Sequence, residues 1–279
     1  MSTEAAIWLN GAPAEALPLP DRGLDFGDGL FETLLLQQGS PLYTELHLQR
    51  LAQGLRTLSF PTCLDRARDD LARAATWVAG RAWDWSALRL TACRGPGPRG
   101  YAAPAGVAPR IVISAVELSR DCATMLPPAR LSLATLRWGT QPALAGIKHL
   151  NRLEQVLAAT EYRAVGSDEA IMLDQAGQLV SVTAGNLFLV SGGRILTPAL
   201  RECGVAGTRR RLVLEQWAPA IGLATEEAAL YPQDLLCADE VFYSNSLLGL
   251  RPVASFGAGR WREHPVCEAL HRQYRGECS

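Results

Sequence analysis

Lysine is almost absent from this chain: of 279 residues one is lysine, against 26 arginines. Other things are missing too. Neither charge is in excess, with 27 basic and 28 acidic residues for a net charge of −1. That balance leaves no electrostatic footprint for nucleic acid or an acidic membrane surface. No apolar run is long enough to span a bilayer, and the opening MSTEAAIWLNG lacks the charged-then-apolar layout of a secretory leader. The seven cysteines (Cys63, Cys93, Cys122, Cys203, Cys237, Cys267 and Cys278) are scattered, odd in number and without a C-x-x-C pair. They read as reduced thiols rather than a disulfide framework or a zinc site. His47, His149, His264 and His271 show no H-x-x-x-H spacing, so no metal site is expected. Neither G-x-S-x-G nor a Walker pattern occurs. What is present, 48% hydrophobic and 20% charged residues, is the composition of a globular protein. The expectation is a cytoplasmic protein without nucleic-acid or membrane partners.

The lone lysine, Lys148, carries information. A coding preference for arginine, alongside heavy use of alanine and leucine, accounts for the 26 arginines but not for the exception. On a solvated surface arginine replaces lysine at little cost. It cannot do so where a neutral primary amine must attack a carbonyl, because guanidinium stays protonated. Schiff-base chemistry is the main enzymatic use of such an amine, which makes Lys148 a candidate catalytic residue. A surface lysine left over by chance is the alternative.

Along the chain, LYTELHLQRLAQGLRTLSF reads as a helix with Leu48, Leu51, Leu55 and Leu58 on one stripe. CLDRARDDLARAATWVAG is a second helix, closed by Gly80. ALRLTACR and RIVISAVEL read as strands. SRDCATMLPPARL, with its proline pair and no periodicity, is the best linker. Beyond it come the helix NRLEQVLAATEYRAV, strands EAIMLD, QLVSVTA and NLFLVSG, and a Gly192-Gly193 turn into RILTP. TRRRLVLEQWAPAIG reads as helical and DEVFYSNSLLGLRPVASF as extended. There is no internal repeat. The alternation predicts an α/β (α+β) chain in two domains, 1–120 and 130–279, joined by a linker at 121–129.

Three further features invite chemistry. Residues 95–100, GPGPRG, satisfy G-x-G-x-x-G after a strand, yet YAAPAG follows, which cannot open a good helix, and no acidic residue sits about 20 positions on. A dinucleotide fold is therefore not indicated. Arg94, Arg99 and Tyr101 on this Gly/Pro frame suit carboxylate recognition; a solvated turn is the plainer alternative. Thr208 reads as a helix N-cap whose neighbouring N–H groups could seat an anion, with Arg209, Arg210 and Arg211 adding charge. An ordinary capped helix with a basic face is the commoner outcome. Arg50 lies about 200° round its helix from the apolar stripe and, taken alone, reads as a surface arginine.

These pieces stand in a collinear order that resembles the fold type IV pyridoxal-phosphate enzymes, the family of branched-chain and D-amino-acid aminotransferases and aminodeoxychorismate lyases. The matching runs are DRGLDFGDGLFET at 21–33, HLQRL at 47–51, GIKHLNRLE at 146–154, DEA at 168–170, NLF at 186–188 and NSL at 245–247. The resemblance implies a smaller N-terminal and a larger C-terminal α/β domain with pyridoxal 5'-phosphate (PLP) between them. It implies that Lys148 is the Schiff-base lysine, that Arg50 reaches the cofactor phosphate, and that Thr208 and Arg209 offer it backbone N–H groups. Ser181, Asn186 and Ser246 fall at further cofactor-binding positions. Within the family, RGPGPRGY at 94–101 looks like the R-G-x-G-x-R-G-Y loop of the lyase branch. The implied reaction converts 4-amino-4-deoxychorismate to 4-aminobenzoate and pyruvate in folate synthesis. Arg94, Arg99, Tyr101 and Phe26 are then the substrate-binding residues, and a homodimer whose sites borrow a loop from the partner is implied.

One position departs from the family pattern. Five residues before the asparagine of N-L-F the family usually carries a glutamate that pairs with the pyridine nitrogen; here it is Ser181. A hydroxyl supplies no compensating charge, so a protonated ring is less favoured. Two alternatives stay open: an aminotransferase of the same fold, or an inactive PLP-carrying protein.

Overall fold

The computed structural model describes residues 5–103 and 105–277; Cys278 lies outside them. The chain divides into two compact units, Met1–Asp121 with Ile147–Asn151, and Cys122–Gly146 with Arg152–Ser279.

The first unit is built on a six-stranded antiparallel sheet. Its long strands are β1 (Ala5–Leu9), β2 (Gly29–Gln37), β3 (Trp85–Cys93) and β4 (Arg110–Glu117), in the order β1-β4-β3-β2. The two-residue strands Ala12–Pro13 and Ser40–Pro41 close the edges. A short helix, α1 (Arg22–Phe26), precedes β2. Helix α2 (Thr44–Thr57) lays Leu48, Leu51 and Leu55 on β2, and α3 (Leu64–Ala79) lays Leu71, Ala74 and Val78 on β3 and β4. Burying a leucine of this kind is worth roughly 1.5–3 kcal/mol. Gly54 lets α2 approach closely, since a Cβ there would lie 2.7 Å from the Leu30 side chain. Gly80 ends α3. Residues 94–103 form a loop with no helix after it.

The second unit holds a nine-stranded mixed sheet. Its strands are β5 (Ala129–Trp138), β6 (Glu169–Asp174), β7 (Leu179–Val182), β8 (Asn186–Ser191), β9 (Arg194–Pro198), β10 (Ala224–Ala228), β11 (Glu240–Asn245) and β12 (Gly249–Phe256). Their order is β10-β9-β8-β11-β12-β5-β6-β7, with Gly259–Arg260 paired to β12. The β10/β9, β12/β5 and β5/β6 pairs are parallel and the rest antiparallel. Helix α4 (Leu153–Ala164) packs Ala158 against β5 and β6. Helix α5 opens at Thr208–Leu212 and continues through a π-helical turn, Val213–Trp217, to Ala218–Ala220. Helices α6 (Pro232–Leu236) and α7 (Pro265–Glu277) complete the unit. Leu187, Leu189, Val241, Tyr243 and Val253 anchor its core. The mixed α/β class agrees with the expectation from sequence.

Candidate active site

In the first unit the lone lysine rides on the sheet. Phe31 N–H donates to the Lys148 carbonyl at 2.9 Å, Leu150 N–H donates to the Gly29 carbonyl at 3.0 Å, and Leu30 and His149 form an antiparallel bridge. Residues 148–150 thus extend along β2, which fixes the Lys148 backbone. The Lys148 Nζ lies 4.3 Å from the centre of the Phe31 ring, a favourable cation–π contact.

One residue further along β2, Glu32 is fully buried against Arg50 and His47 of α2. Arg50 donates to its carboxylate through Nε (2.8 Å) and Nη2 (2.5 Å), and His47 Nδ1 lies 2.6 Å from Oε2. Burial alone would raise this carboxyl; the Arg50 charge and hydrogen bond, and then His47, outweigh it and hold it down to about 2. Arg50 is therefore not the surface residue that its helical position suggests. Its side chain is 9% exposed, because a buried counter-charge on another element draws it inward.

The loop 94–101 joins the same unit. Arg94 is buried, and its guanidinium is engaged locally. Nε donates to Asp28 Oδ2 (2.7 Å), Nη1 to the Ser59 carbonyl (3.1 Å) and Nη2 to the Leu58 carbonyl (2.6 Å), with the Phe60 ring 4.2 Å away. Arg99 is exposed and Tyr101 is 88% exposed. The Tyr101 ring sits 5.5 Å from that of Phe26. Of the substrate-binding candidates, the structure brings Phe26 and Tyr101 together and ties Arg94 into the loop's base.

In the second unit, Ser181 is buried on β7, and its Oγ has no hydrogen-bond partner among the described residues. Asn186, at the start of β8, donates from Nδ2 to the Val205 carbonyl at 2.9 Å. Gly207, not Thr208, occupies the N-cap of α5, and Thr208 is the first helical residue. A side chain has no room at Gly207, where a Cβ would run into Asn186 Oδ1. Arg209 is buried and donates from Nη2 to the Ser246 carbonyl at 3.1 Å. Asn186, the opening of α5 and Ser246 are thus connected by hydrogen bonds and close packing.

A family model for amino-transferase class IV matches residues 29–256. The chain belongs to that family. Aminodeoxychorismate lyase of Vibrio harveyi is 37% identical over 255 residues, covering 90% of this chain and 92% of the relative. The crystal structure of 4-amino-4-deoxychorismate lyase from Pseudomonas aeruginosa superposes with a TM-score of 0.88 at 38% identity, covering 97% of this chain and 98% of the other. A hypothetical aminotransferase from Mycobacterium tuberculosis in its PLP-bound form shares the fold, with a TM-score of 0.82 at 22% identity and 98% of each chain covered.

Sequence reasoning passed over Glu32, His47, Asp28 and Arg22. One signal was available: His47 and Arg50 stand three apart on a helix and so share a face. The Arg22 and Asp28 contacts, to Arg94, Gly100 and Tyr101, span 66 to 79 residues and leave no local trace.

Proposed function

We propose that this chain is a PLP-dependent lyase that converts 4-amino-4-deoxychorismate to 4-aminobenzoate and pyruvate. The observation that carries the reading is the pairing, within one unit, of the chain's only lysine with an exposed Arg99/Tyr101 loop of lyase type. The residues fit the cofactor. In the first unit Lys148 offers the one primary side-chain amine and Arg50 a guanidinium suited to a phosphate; in the second, Asn186 and Ser246 brace the start of α5, where the backbone N–H groups of Thr208 and Arg209 suit an anion. The buried Ser181 Oγ, which lacks a partner among the described residues, suits its ring nitrogen.

When bound, PLP supplies the electron sink for the pair released as a carbon–hydrogen bond breaks. The Lys148 Nζ takes the proton from the substrate carbon bearing the amine. The neighbouring carbon loses the enolpyruvyl oxygen, the ring becomes aromatic, and the proton balance closes with pyruvate, so neither water nor an oxidant is consumed. Arg99 and Tyr101 bind the substrate carboxylates, while Arg94, committed to Asp28 and two carbonyls, shapes the loop. Ser181 gives a neutral contact where a carboxylate would stabilise a long-lived electron pair. Aromatisation drives the elimination, so the weaker sink suffices and transamination is disfavoured.

We also infer a homodimer, supported by an apolar stripe on α4, and a cytoplasmic setting, supported by the lack of disulfides among the described cysteines. No helix among the described residues is long and apolar enough to cross a membrane.

The direct test is 4-aminobenzoate formation by the purified protein, with borohydride reduction and peptide mapping to locate the cofactor. Label on Lys148 and turnover are expected. Lys148→Arg should remove both; full activity in that variant rejects the mechanism. Label without turnover would point to a PLP carrier. Ser181→Glu should raise amino-transfer between amino and keto acids relative to lyase turnover. An unchanged ratio refutes the role given to Ser181.

A further inference from the structure

Arg22 is a buried arginine that the chemistry above does not use, and it touches the loop 94–101 at both ends. Its backbone N–H donates to the Gly95 carbonyl at 2.9 Å. Its guanidinium donates from Nη1 to the Gly100 carbonyl (2.9 Å) and from Nη2 to the Tyr101 carbonyl (2.8 Å). The remaining nitrogen, Nε, donates to Asp28 Oδ2 at 3.0 Å, the same oxygen that receives Arg94 Nε. The guanidinium also lies 4.7 Å from the centre of the Phe26 ring, which in turn meets Tyr101. One side chain therefore ties the loop's last two residues to its base. Asp21 sets the position of Arg22: its Oδ1 accepts the N–H groups of Gly23 and Leu24, and its Oδ2 takes Arg110 Nη1 at 2.8 Å.

We propose that Arg22 is a positioning residue that clamps the loop 94–101 in the shape from which Arg99 and Tyr101 meet the substrate carboxylates. The proposal rests on the lyase reading and deepens it. An exposed loop held only by its chain ends would have to be ordered by substrate at each binding event, and that cost appears as lost affinity. The planar fork explains the residue type. Two carbonyls and a carboxylate are addressed from three nitrogens in one plane, which a single ammonium cannot reproduce.

The test uses the PLP-loaded enzyme with Arg22→Gln, Arg22→Lys, Arg99→Ala and the Arg22→Gln/Arg99→Ala pair. Arg22→Gln should raise KM by about tenfold or more with kcat within about threefold of wild type and PLP content unchanged, and Arg22→Lys should not rescue it. On the Arg99→Ala background, Arg22→Gln should add less than about twofold, because the group it positions is gone. Brief trypsin treatment of the native protein should cut the Arg99–Gly100 bond about tenfold faster in Arg22→Gln, read by mass spectrometry. Unchanged KM, full rescue by lysine, or an undiminished effect without Arg99 overturns the proposal. If Arg22→Gln does not fold, Arg22→Lys, which keeps a cation beside Asp28, takes the KM and cleavage measurements. If wild-type holoenzyme makes no 4-aminobenzoate, the lyase reading fails on its own. The clamp is then judged by the cut alone: faster cleavage upholds it and unchanged cleavage overturns it.

Discussion

Glu32 shows what a single buried charge does in this molecule. It lies on β2 beside Phe31, fully enclosed, with Arg50 in a two-point pair and His47 at 2.6 Å. Removing one partner of such a cluster leaves the others buried without compensation, which typically costs about 3–5 kcal/mol. Glu32→Gln should accordingly lower unfolding free energy in urea at pH 7 by an amount in that range. The pH dependence follows from the sign of the shift. The carboxyl is held at about 2 in the fold against 4.5 as its ordinary value. Its stabilisation is therefore complete above the unfolded value and is lost as pH falls through about 2. The gap between wild type and Glu32→Gln should close as urea titrations move from pH 5 toward pH 2. A gap that stays constant over that window would show that the cluster is not ionic. None of this is visible from Arg50 alone, because its counter-charge lies 18 residues away on another element.

At the scale of elements, helix α5 depends on its N-cap residue having no side chain. Gly207→Ala would drive a Cβ into Asn186 Oδ1 and disturb the Asn186–Val205 hydrogen bond. Overpacking of this kind costs about 1–3 kcal/mol. The variant should melt earlier and, if the opening of α5 seats the cofactor phosphate, bind PLP more weakly in an absorbance titration; unaltered stability and affinity would disprove the steric argument. This cap is also where the sequence misleads: threonine and glycine serve about equally well as N-caps, and here Gly207 takes the place while Thr208 begins the helix. Other elements were legible because their local pattern suffices. Glu169–Asp174 has an apolar centre, Ala170 to Leu173, and is bounded by turns, and α3 is periodic and closed by Gly80. By contrast, β2 reads GLFETLLLQ, rich in helix-formers and without alternation, because most of its residues are buried on both faces. The buried stripe of α7 is Cys267, Leu270, His271 and Tyr274, and its cysteine and histidine conceal the periodicity. Lys148 was legible for a different reason, its rarity; Arg94 stood out on its Gly/Pro frame, but its contacts did not, since its partners Asp28, Leu58 and Ser59 lie 35 to 66 residues away.

At the scale of the whole molecule, α4 is asymmetric in a way one chain does not explain. Ala158 is packed against the second sheet, while Leu153, Val156 and Leu157, at positions i, i+3 and i+4, are 77%, 57% and 57% exposed. Scattered surface leucines are ordinary, but three on one helical face form a contiguous apolar patch of the kind that marks an interface. A two-fold dimer would cover such a patch with its own copy. Leu153→Glu combined with Leu157→Glu places two like charges on each side of that contact. The variant should sediment as a monomer while wild type sediments as a dimer, with far-UV circular dichroism unchanged because neither side chain is in the core. If each site takes a loop from its partner, as the family resemblance implies, the monomer should retain its fold and lose lyase turnover. A wild-type monomer, or a doubly charged variant that still dimerises, would remove α4 from the interface.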